Sequence, residues 1–458
     1  MSSAPNPAKM PPAKIRPASD VSAGVGPAGL AALLGWLLVC RNWAPISEVL
    51  ALPGPHAPMS GPYASVATLF VTGTAMALWS VLVDKVHLRP STGIDWSLRR
   101  PLSETLDLSI TKLAGLWATW ALIGAFYCVG RWYWDGQYLF AMEVIGAAAL
   151  PVFLLSVPYV FWLDRKLIEP RDQAWHFGAL LIGREAWDLE AVKKHGRAWT
   201  IKAFFGAFMI SILPGGFAQV VEANFGAMIH DPVPLASTVI ALLFLIDVQI
   251  GTVGYIFTFR PLDAHIRSGN PLLAGWVAAL MCYPPFVWGT MGRADVLGYE
   301  VNTPGWSYWL QGHTVLLWFW AALMVFLTAV YAWATFAFGL RFSNLTYRGV
   351  LTNGPYRFTR HPAYLSKNLF WWTSTLPFLV SSHALTDMVR NTVLLGVVSG
   401  IYYWRARTEE AHLLAEDAKY REYHAWMAQN ALITRSLAGL AARLRPRSSE
   451  AQAVEQEA

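Results

Sequence analysis

A chain of 458 residues that is 55% hydrophobic and only 14% charged is too apolar for a set of ordinary soluble domains, and a bilayer is its natural solvent. The net charge of +6 invites a nucleic-acid reading, but the basic residues sit in short loops between apolar segments rather than on one polar face. Nucleic acid is therefore excluded as a partner, and Cys40, Cys128 and Cys282, which lack any metal-binding or disulfide spacing, give no reason to expect a metal.

In chain order, residues 1–23 are rich in Pro, Ala and Lys and read as a disordered cytoplasmic tail. Lys9, Lys14 and Arg16 ahead of the apolar run to Cys40 imitate a cleaved lipoprotein signal, but bulky Val39 stands where a small residue is needed. That run reads as an uncleaved first membrane helix. Apolar windows of the length that crosses a hydrocarbon core follow near 24–40, 63–83, 111–130, 139–163, 201–221, 234–257, 272–292, 313–338, 364–382 and 386–404. The fold class expected is all-α, a polytopic integral membrane protein with about ten transmembrane helices. Pro214, the pair Pro284 and Pro285, and Pro377 mark segments that are bent or re-entrant.

Placing the N-terminus in the cytoplasm puts 30 of the 35 Lys and Arg on the inside. The outer loops keep only Arg41, Arg131, Arg293 and Arg390, while Lys367 lies within a helix. Both termini are then cytoplasmic. Aromatic clusters such as Trp132, Tyr133 and Trp134, or Trp306, Tyr308 and Trp309, suit the two interfaces. Residues 24–312 form an N-terminal transmembrane region without an assigned role, 313–430 a second membrane domain, and 431–458 a polar tail.

Two segments near the C-terminus carry chemistry. The first runs from Asn353 through Gly354, Pro355, Tyr356 and Arg357 to Arg360, His361, Pro362 and Tyr364. Pro362 suits the first position of a helix, whose free N–H groups, beside Arg357, Arg360 and His361, can hold a carboxylate or phosphate. The second extends the last apolar helix from Arg405 through Glu409 and Glu410 to Tyr420 and Tyr423. Arg405 and Glu409 are four residues apart and share a helix face, where a carboxylate can hold ribose hydroxyls and a guanidinium an acidic group. Taken singly, each motif also reads as a topogenic loop or a solvated ion pair.

Taken together, the Gly-Pro-Tyr-Arg and Arg-His-Pro-x-Tyr run, an apolar hairpin, then Arg-x-x-x-Glu-Glu-x-x-Leu and Tyr-x-x-Tyr resemble the isoprenylcysteine carboxyl methyltransferase and phospholipid methyltransferase superfamily over residues 313–427. That resemblance implies a cytoplasmic S-adenosylmethionine site, with an acceptor arriving from the bilayer. Carried over by motif, Tyr356, Arg360, His361, Pro362 and Tyr364 form one wall, Glu409 and Glu410 the other, and Arg405 and Glu409 sit nearest the reacting methyl. This chain departs from the pattern after Tyr364, where Lys367 and Asn368 are polar inside a membrane helix. With Asp247, also inside an apolar helix, they are candidates for the polar end of a lipid or lipid-linked acceptor. The competing readings are a membrane reductase of the steroid reductase type, using a nicotinamide cofactor, and a transporter or scaffold.

Overall fold

The computed structural model describes residues 15–131, 134–183, 186–293 and 296–436. The expectations for residues 1–14, Trp132, Tyr133 and the tail beyond Ser436 lie outside them. Sixteen α-helices form the described chain: α1 Val25–Arg41, α2 Trp43–Val49, α3 Pro62–Leu78, α4 Leu102–Gly130, α5 Leu139–Asp164, α6 Gln173–Ile182, α7 Leu189–Glu222 and α8 Phe225–Met228. The series continues with α9 Pro232–Ile256, α10 Leu273–Leu280, α11 Phe286–Thr290, α12 Trp306–Trp309, α13 Thr314–Phe336, α14 Pro362–Thr375, α15 Leu385–Glu416 and α16 Ala418–Asn430. The only described sheets are two-residue pairings, β1 Ser268–Gly269 antiparallel to β4 Thr346–Tyr347, and β2 Met291–Gly292 parallel to β3 Leu297–Gly298.

Helix starts follow local chemistry. Asp172, Asp188, Asp231 and Asp417 each accept a backbone N–H of the helix that follows, and Pro232 and Pro362 occupy first-turn positions where a missing N–H costs no hydrogen bond. Among the described residues six helices are long and apolar enough to span a bilayer: α3 with its extension to Val83, α4, α5, α7, α9 and α13. A seventh arises if α1 and α2, bent by 70°, count as one span. The protein is thus an all-α polytopic membrane protein with fewer regular spans than the ten windows implied.

The correction has a physical cause at each of three places. The window at 272–292 breaks into α10 and α11 because Pro284 and Pro285 cannot continue a helix. The window at 364–382 forms only the 14-residue α14, which ends at Leu376 in the left-handed region, one residue before Pro377. α15 is long enough, with 32 residues, but its apolar stretch is diluted by charged and polar groups at both ends. The interrupted segments nevertheless carry the chain from one end of the body to the other.

Contacts between loops define those ends. At one end Asp20 meets Lys419, Ser91 and Arg341 meet Asp263, Asp172 meets Arg260, and Lys194 meets Glu416. These pairs join all six segments whose Lys and Arg were expected on one side. At the opposite end Arg41 donates to the carbonyl of Val221, Ser60 to Glu222, Arg390 to the carbonyl of Gly298, and Ser381 N–H to the carbonyl of Asn302.

Between the ends, α7 is the central helix, its most apolar stretch 56% buried, whereas the corresponding stretch of α5 is 11% buried and faces outward. α13 packs on α9 and α14, and α4 packs on α6 through Gly115 and Gly178, whose missing side chains let the backbones touch. Residues 15–23, expected as part of a disordered tail, are instead held in place. Asp20 N–H donates to the carbonyl of Val350, Asp20 accepts the N–H of Val350 at 2.7 Å, and Asn353 donates to the carbonyl of Val21. Val21 is buried, so apolar packing adds to those bonds.

Candidate functional site

The loops at the charged end are organised by two buried arginines. Arg348 donates to the carbonyls of Leu340, Phe342, Gly254 and Ala264, joining three backbone segments through one planar guanidinium. Arg341 pairs with Asp263 at 2.5 Å and donates to the carbonyl of Arg348. Asp263 is 1% exposed and also faces Arg267 at 3.3 Å, so its charge is fully compensated. This scaffold holds the strand β4 and the loop that leads into α14.

Beneath it lies a cleft of about 1310 Å³, the space at its open mouth included. One wall is the loop and first turn of α14, with Tyr356, Arg360, His361, Ala363 and Tyr364; the other is α15, with Tyr402, Arg405, Glu409 and His412. Tyr331 and Thr335 of α13, Tyr283 and Asn344 complete it, and Tyr420 and Tyr423 of α16 cover one side. Tyr423 Oη donates to the carbonyl of Tyr356 at 2.6 Å, which fixes α16 to the loop.

The two sequence motifs meet across this cleft. Arg360 Nε donates to Glu410 Oε1 at 2.6 Å, His361 Nε2 lies 2.9 Å from the same oxygen, and Arg407 reaches Oε2 at 2.8 Å. Tyr364 Oη donates to Glu409 Oε1 at 2.5 Å, and Arg405 Nε reaches that oxygen at 3.3 Å. Arg405 is 2% exposed, donates to Asn344 Oδ1 at 2.6 Å, and lies over the rings of Tyr283 and Tyr364. The rings hold its charge where water is largely excluded.

Glu410 lies on α15 beyond the apolar stretch. Burial alone raises its pKa, but the hydrogen bond from His361 and the charge of Arg360 outweigh this and hold the carboxyl well below its ordinary value. His412, one turn further in sequence from Thr408, is pushed down to about 4 by burial and by Arg197 and Lys194, and its ring contacts Ser268 Oγ at 3.0 Å. It is a neutral imidazole at pH 7.

Most of the residues singled out in sequence converge here, with exceptions that the geometry explains. Tyr356, Arg360, His361, Tyr364, Lys367, Arg405 and Glu409 line the cleft. Pro362 and Glu410 do not: Pro362 starts the helix, and Glu410 braces the wall from behind through Arg360 and His361. Asn368 points away from the cleft and donates to the carbonyl of Tyr364, while Asp247 is buried and accepts a hydrogen bond from Thr335. Tyr283, Asn344, Arg341 and Arg348 were not foreseen. Tyr283 lies in the broken window next to Pro284, and a buried polar or aromatic residue beside a helix break was the one available signal.

The first turn of α14 has no side-chain cap, so the N–H groups of Ala363 and Tyr364 at the cleft have no intrahelical acceptor. Together with Arg360 and His361 they form a place for a carboxylate. Glu409 supplies an acceptor for hydroxyl or ammonium groups, and Tyr283, Tyr356 and Tyr364 offer ring faces to a cation or a planar heterocycle. Among the described residues no cluster has the composition to hold a metal ion.

Fold and cleft define a polytopic α-helical membrane protein with a polar site built between its helix ends. Residues 301–427 match the family model described as a protein of unknown function, DUF1295. That match takes in α12 to α15 and most of α16, hence both motif segments, and leaves the N-terminal helices and Tyr283 outside. No curated protein and no solved structure matches the chain.

Proposed function

We propose that the protein is an S-adenosylmethionine-dependent methyltransferase that acts in the membrane on a lipid or lipid-linked acceptor, with its site facing the cytoplasm. The observation that carries the reading is the junction of the two motifs: Arg360 and His361 with Glu410, and Tyr364 and Arg405 with Glu409, around one cleft. Arg360, His361 and the α14 N–H groups suit the cofactor's carboxylate, Glu409 its ribose hydroxyls or ammonium, and the tyrosine rings its sulfonium. The cofactor supplies a methyl group on a positively charged sulfur.

The residues need only orient the acceptor and exclude water, because methyl transfer is an in-line displacement. S-adenosylmethionine held by these residues would supply an electrophilic methyl group, and the acceptor would supply the electron pair that takes it. Arg405, held in place by Asn344 and Glu409, would orient the reacting groups in the cleft. An ammonium acceptor must first lose a proton, and Glu409 would be the group to take it. A cytoplasmic orientation is supported by the concentration of Lys and Arg on the loops that gather at the site end.

The test is calorimetry on detergent-solubilised protein with S-adenosylmethionine and, separately, NADPH. Micromolar binding of the first, lost with both His361→Ala and Glu409→Ala, supports the assignment. Binding unchanged in both variants overturns the pocket, and tighter binding of NADPH supports the reductase reading instead.

A further inference from the structure

Lys367 lies three residues after Tyr364 on α14 and faces Tyr402, which lies three residues before Arg405 on α15. Its ammonium is therefore about one helical turn deeper in the cleft than the Arg405 and Glu409 pair. Three rings surround it: Trp371 at 5.3 Å, Tyr331 at 5.4 Å and Tyr402 at 5.7 Å from ring centroid to Nζ. Among the described residues no carboxylate lies within 4.0 Å of it, and it forms no hydrogen bond to protein, although it lines the cleft. Every other described cation lining the cleft, Arg341, Arg348, Arg360 and Arg405, donates to protein oxygen.

Aromatic faces stabilise an ammonium but accept no directional hydrogen bond comparable to an oxyanion's, so three N–H donors remain to be satisfied at the inner end of the cleft. Asp247 on α9 is close enough for its charge to act on Lys367, but it lies beyond 4.0 Å, accepts a hydrogen bond from Thr335 and stands outside the cleft lining, so it takes none of those three N–H donors. We infer that Lys367 receives an oxyanion, a carboxylate or a phosphate, carried by an apolar chain and separate from the atom that is methylated. The occupant then has two polar positions a helical turn apart, one at Arg405 and Glu409 and one at Lys367. Describing that occupant as the methyl acceptor rests on the reading above; the oxyanion site itself does not.

The experiment uses full-length protein in neutral phosphatidylcholine nanodiscs, without cofactor. Retention of radiolabelled oleate, oleyl phosphate and uncharged oleyl alcohol is compared. At least tenfold stronger retention of one or both anions than of the alcohol is expected, reduced to parity by Lys367→Met and recovered by Lys367→Arg. The ratio between oleate and oleyl phosphate shows whether carboxylate or phosphate is preferred. Equal retention of all three by the unaltered protein overturns the site, as does a preference that persists in Lys367→Met. If Lys367→Met fails to yield monodisperse protein, Lys367→Gln takes its place, with the same loss of preference expected and a persisting preference overturning the site. Incubation with methyl-labelled S-adenosylmethionine then tests the separation of the two positions, because labelled methyl oleate would make the bound oxyanion the reacting group and overturn it. Absence of S-adenosylmethionine binding in a protein that still prefers the anions removes the methyltransferase reading and leaves the oxyanion site standing.

Discussion

Arg360 and Glu410, fifty residues apart in sequence, are joined by a 2.6 Å hydrogen bond between a partly buried guanidinium and a carboxylate that is 2% exposed. That contact closes the wall of the cleft, because His361 shares the same carboxylate. Removing one partner of a buried pair leaves the other charge uncompensated, at a cost of about 3–5 kcal/mol. Glu410→Gln is therefore expected to lower the melting temperature by several degrees and to weaken S-adenosylmethionine binding more than tenfold. Arg407→Ala, which removes a 55% exposed partner of the same carboxylate, should change either measurement little. Calorimetry and thermal melting of the two variants side by side check this.

The pH dependence of stability has two contributions at this end. The Glu410 carboxyl has its pKa depressed below the ordinary value of 4.5, so its stabilisation is present above that value and is lost as pH falls below it. The His412 ring is held neutral with its pKa lowered from 6.5 to about 4, so stability falls as pH drops through that interval, where the unfolded chain takes up a proton and the folded one does not. Melting temperatures recorded from pH 8 to pH 3 should decline below 6.5. His412→Asn should flatten the upper part of the decline, and Glu410→Gln the part below 4.5.

Arg405 is buried between two tyrosine rings and shared by Asn344 and Glu409. A lysine keeps the charge but not the planar fork or the stacking. Hydrogen bonds to charged groups contribute about 1.5–3 kcal/mol each, so Arg405→Lys should reduce methyl transfer to membrane lipid by roughly ten- to a hundredfold. The measurement is transfer of labelled methyl into the organic phase. Label that appears only in the aqueous phase and is unaffected by Arg405 substitution would count against a lipid acceptor.

Asp20 ties the N-terminal strap to α16 through Lys419 at 2.5 Å and to the loop after β4 through Val350. Asp20→Ala should leave the membrane helices intact and raise amide hydrogen exchange over residues 346–353. Exchange in that stretch that is unchanged from the parent protein would show the strap to be dispensable.

Gly178 faces the backbone of Thr111, and a Cβ there would overlap its carbonyl oxygen, whereas Gly124 on the same helix as Gly115 has open space. Gly178→Ala should force α4 and α6 apart and destabilise by about 1–3 kcal/mol, while Gly124→Ala should be neutral or slightly stabilising. Thermal melting in detergent distinguishes the two.

Hydropathy alone determined the membrane class, the order of the apolar segments and the two-ended distribution of Lys and Arg, because each depends on local composition read along the chain. The family resemblance carried by the two motifs brought Arg360, His361, Tyr364, Arg405 and Glu409 into one hypothesis. What tertiary structure decided was which of those residues face the cleft. Glu409 and Glu410 are adjacent in sequence, yet a 100° step around α15 sends one into the cleft and the other behind its wall. Tyr283, Asn344 and the two buried arginines entered the site, and Asp20 the brace beside it, through contacts between distant segments, and a break at Pro284 or an ion pair 399 residues apart leaves no periodic trace in the chain. Composition is a property of neighbours in sequence; the cleft is a property of neighbours in space.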